Sequence, residues 1–210
     1  MAAPAYLPVF LDLRARPVVV VGGGPPAARR ARDLLAGAAR VTVVSPTLGA
    51  ELEALAEAGG LAWRPRAFAP PDVRGAALVI AATGRADVDD AVARAARAAR
   101  VPVSVVDDAS RSDLVFGAVV RRGDLQIAVS TGGRSPGLAR LVREQLEALF
   151  GPEWAEVVAW AGDERTRARA AAATPAERLD AGLAVARRAL ESAPWRIAAA
   201  RRMALDTPPQ

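Results

Sequence analysis

The sequence predicts an α/β domain built on a parallel, doubly wound sheet, followed by a small antiparallel segment and a helical C-terminal part. Three observations carry this. Short apolar runs alternate with helical stretches through the first half of the chain. One of those runs, Val18-Val19-Val20-Val21, ends in Gly22-Gly23-Gly24 and opens directly into a helix. After Asp108 two apolar runs follow one another with no helix between them, which makes them antiparallel.

Taken in order, Leu7 to Leu13 reads as a short opening strand closed by the turn Arg14-Ala15-Arg16-Pro17. Val18 to Val21 is a buried strand, and the arginine-rich helix from Ala28 to Leu35 follows its glycine turn. Val41 to Val44 is the next strand, ending at Ser45-Pro46, and Leu48 to Ala58 has helical spacing. Leu61 to Arg64 is a further short strand. Leu78 to Ala82 is another, ending at Thr83 before a helix from Asp87 to Ala99. Val103 to Val106 leads into Asp107-Asp108. Leu114 to Val120 and Leu125 to Val129, joined by Arg121-Arg122-Gly123-Asp124, read as a hairpin. Helices follow over Pro136 to Leu149, Glu153 to Ala171 and Pro175 to Leu190, with a last stretch near Pro194 to Leu205 and a frayed end from Thr207 to Gln210. The domain boundaries expected are 1–112 for the parallel sheet, 113–147 for the hairpin with the start of its helix, and 148–210 for the helical part.

Composition narrows the chemistry. The 210 residues are 52% hydrophobic, with no uncharged apolar run long enough to span a bilayer and no export signal, so a cytoplasmic protein without a membrane partner is expected. The chain has no Cys, no His and no Lys, so its 28 cationic side chains are all Arg and the net charge is +5. Thiolate nucleophiles, imidazole bases, Schiff bases and ordinary zinc sites are thereby excluded. Proton transfer falls to a carboxylate, a hydroxyl, the single Tyr6 or the substrate itself. Guanidinium groups match carboxylates and phosphates two contacts at a time, which favours an anionic ligand. Nucleic acid is not an expected partner.

The glycine turn is a place for a pyrophosphate. Gly22 allows the tight turn, Gly24 lets backbone approach the ligand, and Ala27 is small enough for the helix to pack on its strand. Gly23 lies between the two glycines, and Pro25 and Pro26 occupy first-turn positions whose N–H would have no helical partner. This is a Rossmann-like arrangement. Ligands of such sheets bind beyond the carboxyl ends of the strands, where Ser45-Pro46-Thr47, Ala82-Thr83 and Asp107-Asp108 also lie. Ser45 stands where an acidic residue would hold the ribose hydroxyls, and no arginine follows it to take a 2′-phosphate, which favours NAD over NADP. Asp107 is either a general base at the mouth of the crevice or a turn-capping aspartate; Asp108 should face the other side. Ser130-Thr131-Gly132-Gly133-Arg134-Ser135-Pro136 is a second glycine turn, with Ser135 as N-cap and Pro136 at the first helical position. It either holds ligand carboxylates, helped by Arg140 and Arg143 on one helix face, or is simply a well-capped helix with surface arginines.

Together these segments resemble the precorrin-2 dehydrogenase and sirohydrochlorin ferrochelatase family of sirohaem synthesis. The matching stretches are Leu7-Pro8-Val9-Phe10, Val20-Val21-Gly22-Gly23-Gly24, Val41 to Pro46, Ala81-Ala82-Thr83, Val105-Val106-Asp107 and Val129 to Pro136, in family order across residues 7 to 150. The resemblance implies a Rossmann domain, a strand-exchanging segment that makes a homodimer, and a helical C-terminal part. It implies that NAD accepts hydride from precorrin-2 to give sirohydrochlorin, with Fe2+ the substrate of a chelatase step in the same crevice. Asp107 is tied to both steps, and Ser104, Ser130 to Ser135, Arg140 and Arg143 fall to the polycarboxylate substrate. Three departures stand out: Ser104 replaces a usual Asn, Leu114 and Gly117 replace a usual Phe and Pro, and Gly84-Arg85 replaces acidic residues. A dehydrogenase working with a separate chelatase, and a non-catalytic NAD or tetrapyrrole sensor, remain as alternative readings. A hairpin with Phe116 and Val119 exposed would be marginal alone, which supports pairing with a second copy.

Overall fold

Val18, Val19, Val20 and Val21 are at most 6% exposed and form the middle of a five-stranded parallel sheet. The structure is a computed structural model that describes residues 6 to 192. The chain divides into two compact units, Met1–Val115 and Phe116–Gln210.

In the first unit, β1 (Pro17–Val21), β2 (Arg40–Val44), β3 (Ala62–Arg64), β4 (Leu78–Ala81) and β5 (Val103–Val105) lie in the order β3-β2-β1-β4-β5. Continuous apolar strands of this kind belong to a sheet covered on both faces. The helices are α1 (Pro25–Ala36), α2 (Ala50–Glu57) and α3 (Ala86–Ala98). On α1 the buried residues Ala27, Ala28, Ala31 and Leu34 recur at helical spacing, and three of the four are alanines that let the helix sit close to its strand. Burial of Val79, Val92, Val103 and Val105 continues the core around α3. The order reverses at β1, because β2 lies on one side of it and β4 on the other, so the crevice for a ligand opens above β1.

Leu7 to Leu13 is not a strand. Leu7, Val9, Phe10 and Leu11 are 59–81% exposed, and no strand of either sheet pairs with them. An apolar run makes a ladder only where a neighbour offers free N–H and C=O groups; here Asp12 instead folds back to accept from the Arg14 backbone and guanidinium. A short 3-10 turn over Pro70–Val73, which the sequence reading passed over, is held by Asp72. Its carboxylate is 5% exposed and accepts from Arg64, Arg66 and the Ala69 N–H.

In the second unit, β6 (Ala118–Arg122) and β7 (Leu125–Val129) form the expected antiparallel hairpin. Its loop is shorter than the sequence indicated, because Arg121 and Arg122 stay in the ladder and only Gly123-Asp124 turn. Gly123 has φ +56 and Asp124 does not, the φ signs of a type II′ turn. The first strand begins at Ala118 rather than Leu114. Phe116 and Val119 are half-buried, not exposed. The helices are α4 (Pro136–Leu149), α5 (Trp154–Ala171) and α6 (Pro175–Ser192). Arg122 closes the end of α4 by donating to the carbonyls of Phe150 and Glu147 at 2.7 and 3.2 Å. The start of α6 is a reciprocal cap, with Glu177 N–H on the Thr174 hydroxyl and the Glu177 carboxylate on the Thr174 N–H. The stretch expected near Pro194 to Leu205 and the frayed end lie outside the described residues.

Candidate functional site

Register brings the first unit's predicted residues to one edge. Val44, Val21, Ala81 and Val105 are consecutive partners across the sheet, so the residues that follow them, Ser45, Gly22, Ala82 and Val106, line its carboxyl end. Hydrogen bonds extend the alignment one step further: Gly22 N–H donates to the Val44 carbonyl at 3.0 Å, Ala82 N–H to Val21 at 2.8 Å and Val106 N–H to Ala81 at 2.9 Å.

The glycines are then read from their surroundings. Gly22 has φ +127, and a Cβ on it would fall onto the Ala82 carbonyl. At Gly23 a Cβ would fall onto the Thr47 carbonyl and lie 2.7 Å from the Ser45 hydroxyl, while the Gly23 carbonyl accepts from Gly49 N–H at 2.8 Å. The turn is therefore wedged between the end of β4 and the loop after β2. Gly24 differs: its φ is −89°, and the nearest atom to an added Cβ is Pro26 Cδ at 3.7 Å. That face of the turn is open.

Pro25 and Pro26 are the first two residues of α1, as the sequence indicated, and they carry no N–H. The N–H groups of Gly23, Gly24 and Ala27 meet no acceptor among the described residues. Three such donors at a helix start suit a pyrophosphate. Ser45 is 6% exposed, its carbonyl accepts from the Trp63 indole at 2.9 Å, and its N–H donates to Arg64. β3 thus braces the loop that carries Ser45, Pro46 and Thr47.

On the other flank, Thr83 is held by a residue the sequence reading missed. Asp89, buried on α3, accepts from the Thr83 hydroxyl at 2.8 Å and its N–H at 3.2 Å. The signal was an acidic residue in the first turns of a helix beginning just after a threonine-ended strand.

Asp107 occupies the third position of the turn Val105-Val106-Asp107-Asp108, closed by Asp108 N–H on the Val105 carbonyl at 3.2 Å. Its φ is +62, and its exposed carboxylate makes no hydrogen bond or ion pair among the described residues. A left-handed non-glycine residue costs about 1–2 kcal/mol, less for Asp than for a bulkier side chain. Asp108 is different in kind. Its carboxylate caps the turn Ala109–Arg111, and the Ser110 hydroxyl, then the Arg111 guanidinium, hold its pKa down at about 2. Arg111 is anchored in turn by Asp90 at 2.8 Å. The capping role is thus Asp108's, and Asp107 is left with nothing structural to hold. Arg30, also missed, sits on α1 with its side chain 22% exposed. Burial lowers its pKa, opposed chiefly by its partner Asp33 and more weakly by the charge of Asp107.

Ser104 lies inside β5 opposite Ile80 and is 6% exposed, so it forms part of the wall rather than an open contact surface.

The second unit holds the other predicted residues. In Ser130 to Ser135 the hydroxyls are spent on the turn itself: Ser130 accepts from Gly132 N–H, Thr131 both accepts from Ser135 N–H and donates to its carbonyl, and Ser135 caps α4 through Leu138 N–H. Gly132 and Gly133 have φ +63 and +80, and Arg134 is exposed. Arg140 and Arg143 do share a face of α4, but both are paired with Glu144, and Arg143 also with Glu147. An i,i+4 spacing to glutamates was visible in the sequence and accounts for this.

An NAD(P)-binding family model matches residues 9–118. The chain belongs to this family. A second model, described as sirohaem biosynthesis protein central, matches residues 122–149. Siroheme synthase 1 of Aeromonas salmonicida (strain A449) is 45% identical over 173 residues, 82% of this chain and 37% of that protein. The siroheme synthase of Actinobacillus succinogenes is 45% identical over 145 residues, 69% of this chain and 30% of that protein. The chain thus spans about a third of the length of these relatives. A solved structure titled SirC, precorrin-2 dehydrogenase, has the same fold, with a TM-score of 0.73 over 93% of this chain and 98% of that one at 24% identity. The resemblance read from the sequence is borne out by these matches. No helix among the described residues is long and apolar enough to cross a membrane.

Proposed function

We propose that this chain is an NAD-dependent precorrin-2 dehydrogenase that yields sirohydrochlorin. The observation that carries the reading is Asp107, an exposed carboxylate with no hydrogen bond or ion pair among the described residues, held on a left-handed turn at the same sheet edge as the braced glycine loop, with β4 between them. Gly23, Gly24 and Ala27 offer the N–H groups for the pyrophosphate, and the Ser45-Pro46-Thr47 loop, with no acidic or arginine side chain at the ribose position, favours NAD. NAD, when bound, accepts one hydride. Asp107 accepts the proton that the macrocycle loses with it, so precorrin-2 and NAD give sirohydrochlorin, NADH and H⁺. A carboxylate is the base because the chain has no His, Cys or Lys. Asp89 fixes the Ala82-Thr83 edge against which the glycine turn rests.

Fe2+ enters the proposal as the substrate of a second step, in which Asp107 accepts protons from pyrrole nitrogens. A homodimer belongs to the same reading: α4 leaves Leu138, Leu141 and Val142 38–60% exposed on the unit expected to pair. So does a cytoplasmic location. Mixing the protein anaerobically with NAD and precorrin-2 should produce NADH absorbance, and adding Fe2+ to the product should produce sirohaem if the second step is present. Tight NAD binding without NADH production would replace the enzyme by a sensor.

A further inference from the structure

The helical hairpin of α5 and α6 carries a groove that the reaction above does not use. It is a half-open groove of about 480 Å³, within the ~300–1,000 Å³ range of small-molecule sites. Arg165 and Arg169 stand one helical turn apart on its α5 side and Arg178 on its α6 side. The side chains of the three make no ion pair or hydrogen bond among the described residues, while the Arg178 backbone N–H donates to the Thr174 carbonyl. Two acids on these helices are committed elsewhere, Glu164 to Arg167 at 3.1 Å and Glu177 to the Ala173 and Thr174 N–H groups just before α6. Leu179 and Leu183, also one turn apart, line the same groove and are 66% and 51% exposed. Gly182 between them leaves room for the Arg165 guanidinium, whose Nε lies 4.0 Å from where a Cβ would be.

Three unpaired guanidinium groups around two bare leucines make a surface for a ligand that is apolar in its body and carries several carboxylates at its edge. We propose that this groove is a second, non-catalytic site for the edge of a polycarboxylate tetrapyrrole. Identifying the ligand as a tetrapyrrole rests on the proposed function; its chemistry rests on the groove alone. A site of this size takes one edge of a macrocycle, with two or three carboxylates on the arginines and a ring face on the leucines.

The test is a titration of the whole protein with uroporphyrin, a stable octacarboxylate porphyrin, followed by porphyrin fluorescence and repeated for R165Q/R169Q/R178Q. The wild-type protein should bind one equivalent per chain more than the triple variant, or bind at least tenfold more tightly, and the difference should shrink with added salt. Turnover of precorrin-2 at saturating substrate should be unchanged in the variant, which also shows that it is folded. Equal stoichiometry and affinity in the two proteins would overturn the proposal. Loss of turnover together with loss of binding would overturn it as well, because the groove would then belong to the reaction site. Binding of an acidic peptide but not of the porphyrin would replace the ligand by a protein partner. A wild-type protein that binds uroporphyrin at the groove but does not oxidise precorrin-2 would reject the proposed function and leave the groove standing.

Discussion

Substituting alanine for Gly24 and, separately, for Gly23 distinguishes a glycine kept for a ligand from one kept for the fold. At Gly24 the backbone has φ −89° and ψ −176°, which alanine adopts freely, and the nearest neighbour to its Cβ is 3.7 Å away. Alanine is a poorer N-cap than glycine by roughly 0.5–1 kcal/mol, whereas losing glycine's freedom in the unfolded chain returns about 0.4–1 kcal/mol. Stability should therefore change by less than about 0.5 kcal/mol. If the pyrophosphate packs on this turn as proposed, the same methyl group stands against it, so NAD affinity should fall at least tenfold, about 1.4 kcal/mol. At Gly23 the signs reverse. Its Cβ meets the Thr47 carbonyl, a backbone atom that cannot swing aside, so the loop after β2 must shift and the Gly49-to-Gly23 hydrogen bond is strained or lost. Overpacking at about 1–3 kcal/mol plus a hydrogen bond at about 0.5–1.5 kcal/mol gives a destabilisation of about 1.5–4.5 kcal/mol. Urea unfolding measures the first quantity and NADH fluorescence titration the second. Gly24→Ala with unchanged NAD affinity would refute the placement of the pyrophosphate.

Asp107→Asn keeps a residue that tolerates the left-handed turn and removes only the charge, so unfolding should be nearly unchanged while turnover falls by about 10²–10⁴-fold; a variant with full turnover would exclude Asp107 as the base. Asp72, lowered from 3.8 to about 2 chiefly by the Arg66 hydrogen bonds, stabilises the fold fully above its unfolded pKa and loses that contribution as pH falls from about 4 to 2. Asp72→Asn should cost about 1–2 kcal/mol at neutral pH, allowing for screening around its half-exposed arginines, with the gap to wild type closing over that acid interval in urea titrations. Leu141→Glu should convert a dimer to a monomer in sedimentation velocity without affecting the far-UV spectrum.

The parallel sheet was legible because continuous valine runs and a glycine turn leave little else to build. Leu7 to Leu13 misled for a reason of the same kind: its residues alternate like a strand, but strand formation is decided by a pairing partner, and periodicity contains no information about one. At the site, the strand-end residues could be placed from the chain because a parallel register carries them all to one edge. Asp89 and Arg30 could not, since each acts through the orientation of a helix against that edge. Likewise nothing in Asp107-Asp108 says which of the two aspartates caps the turn; only the positive φ of the first and the hydrogen bonds of the second separate them.

Pro25 and Pro26 have one more effect. A loop whose helix begins with two rings is stiff before anything arrives, so little order has to be imposed on it at docking, yet it offers two fewer contacts to whatever sits there. For the coenzyme proposed to dock here, the pre-set loop lowers what each exchange of a spent copy for a fresh one costs in ordering, and the two missing donors limit how firmly the spent copy is held.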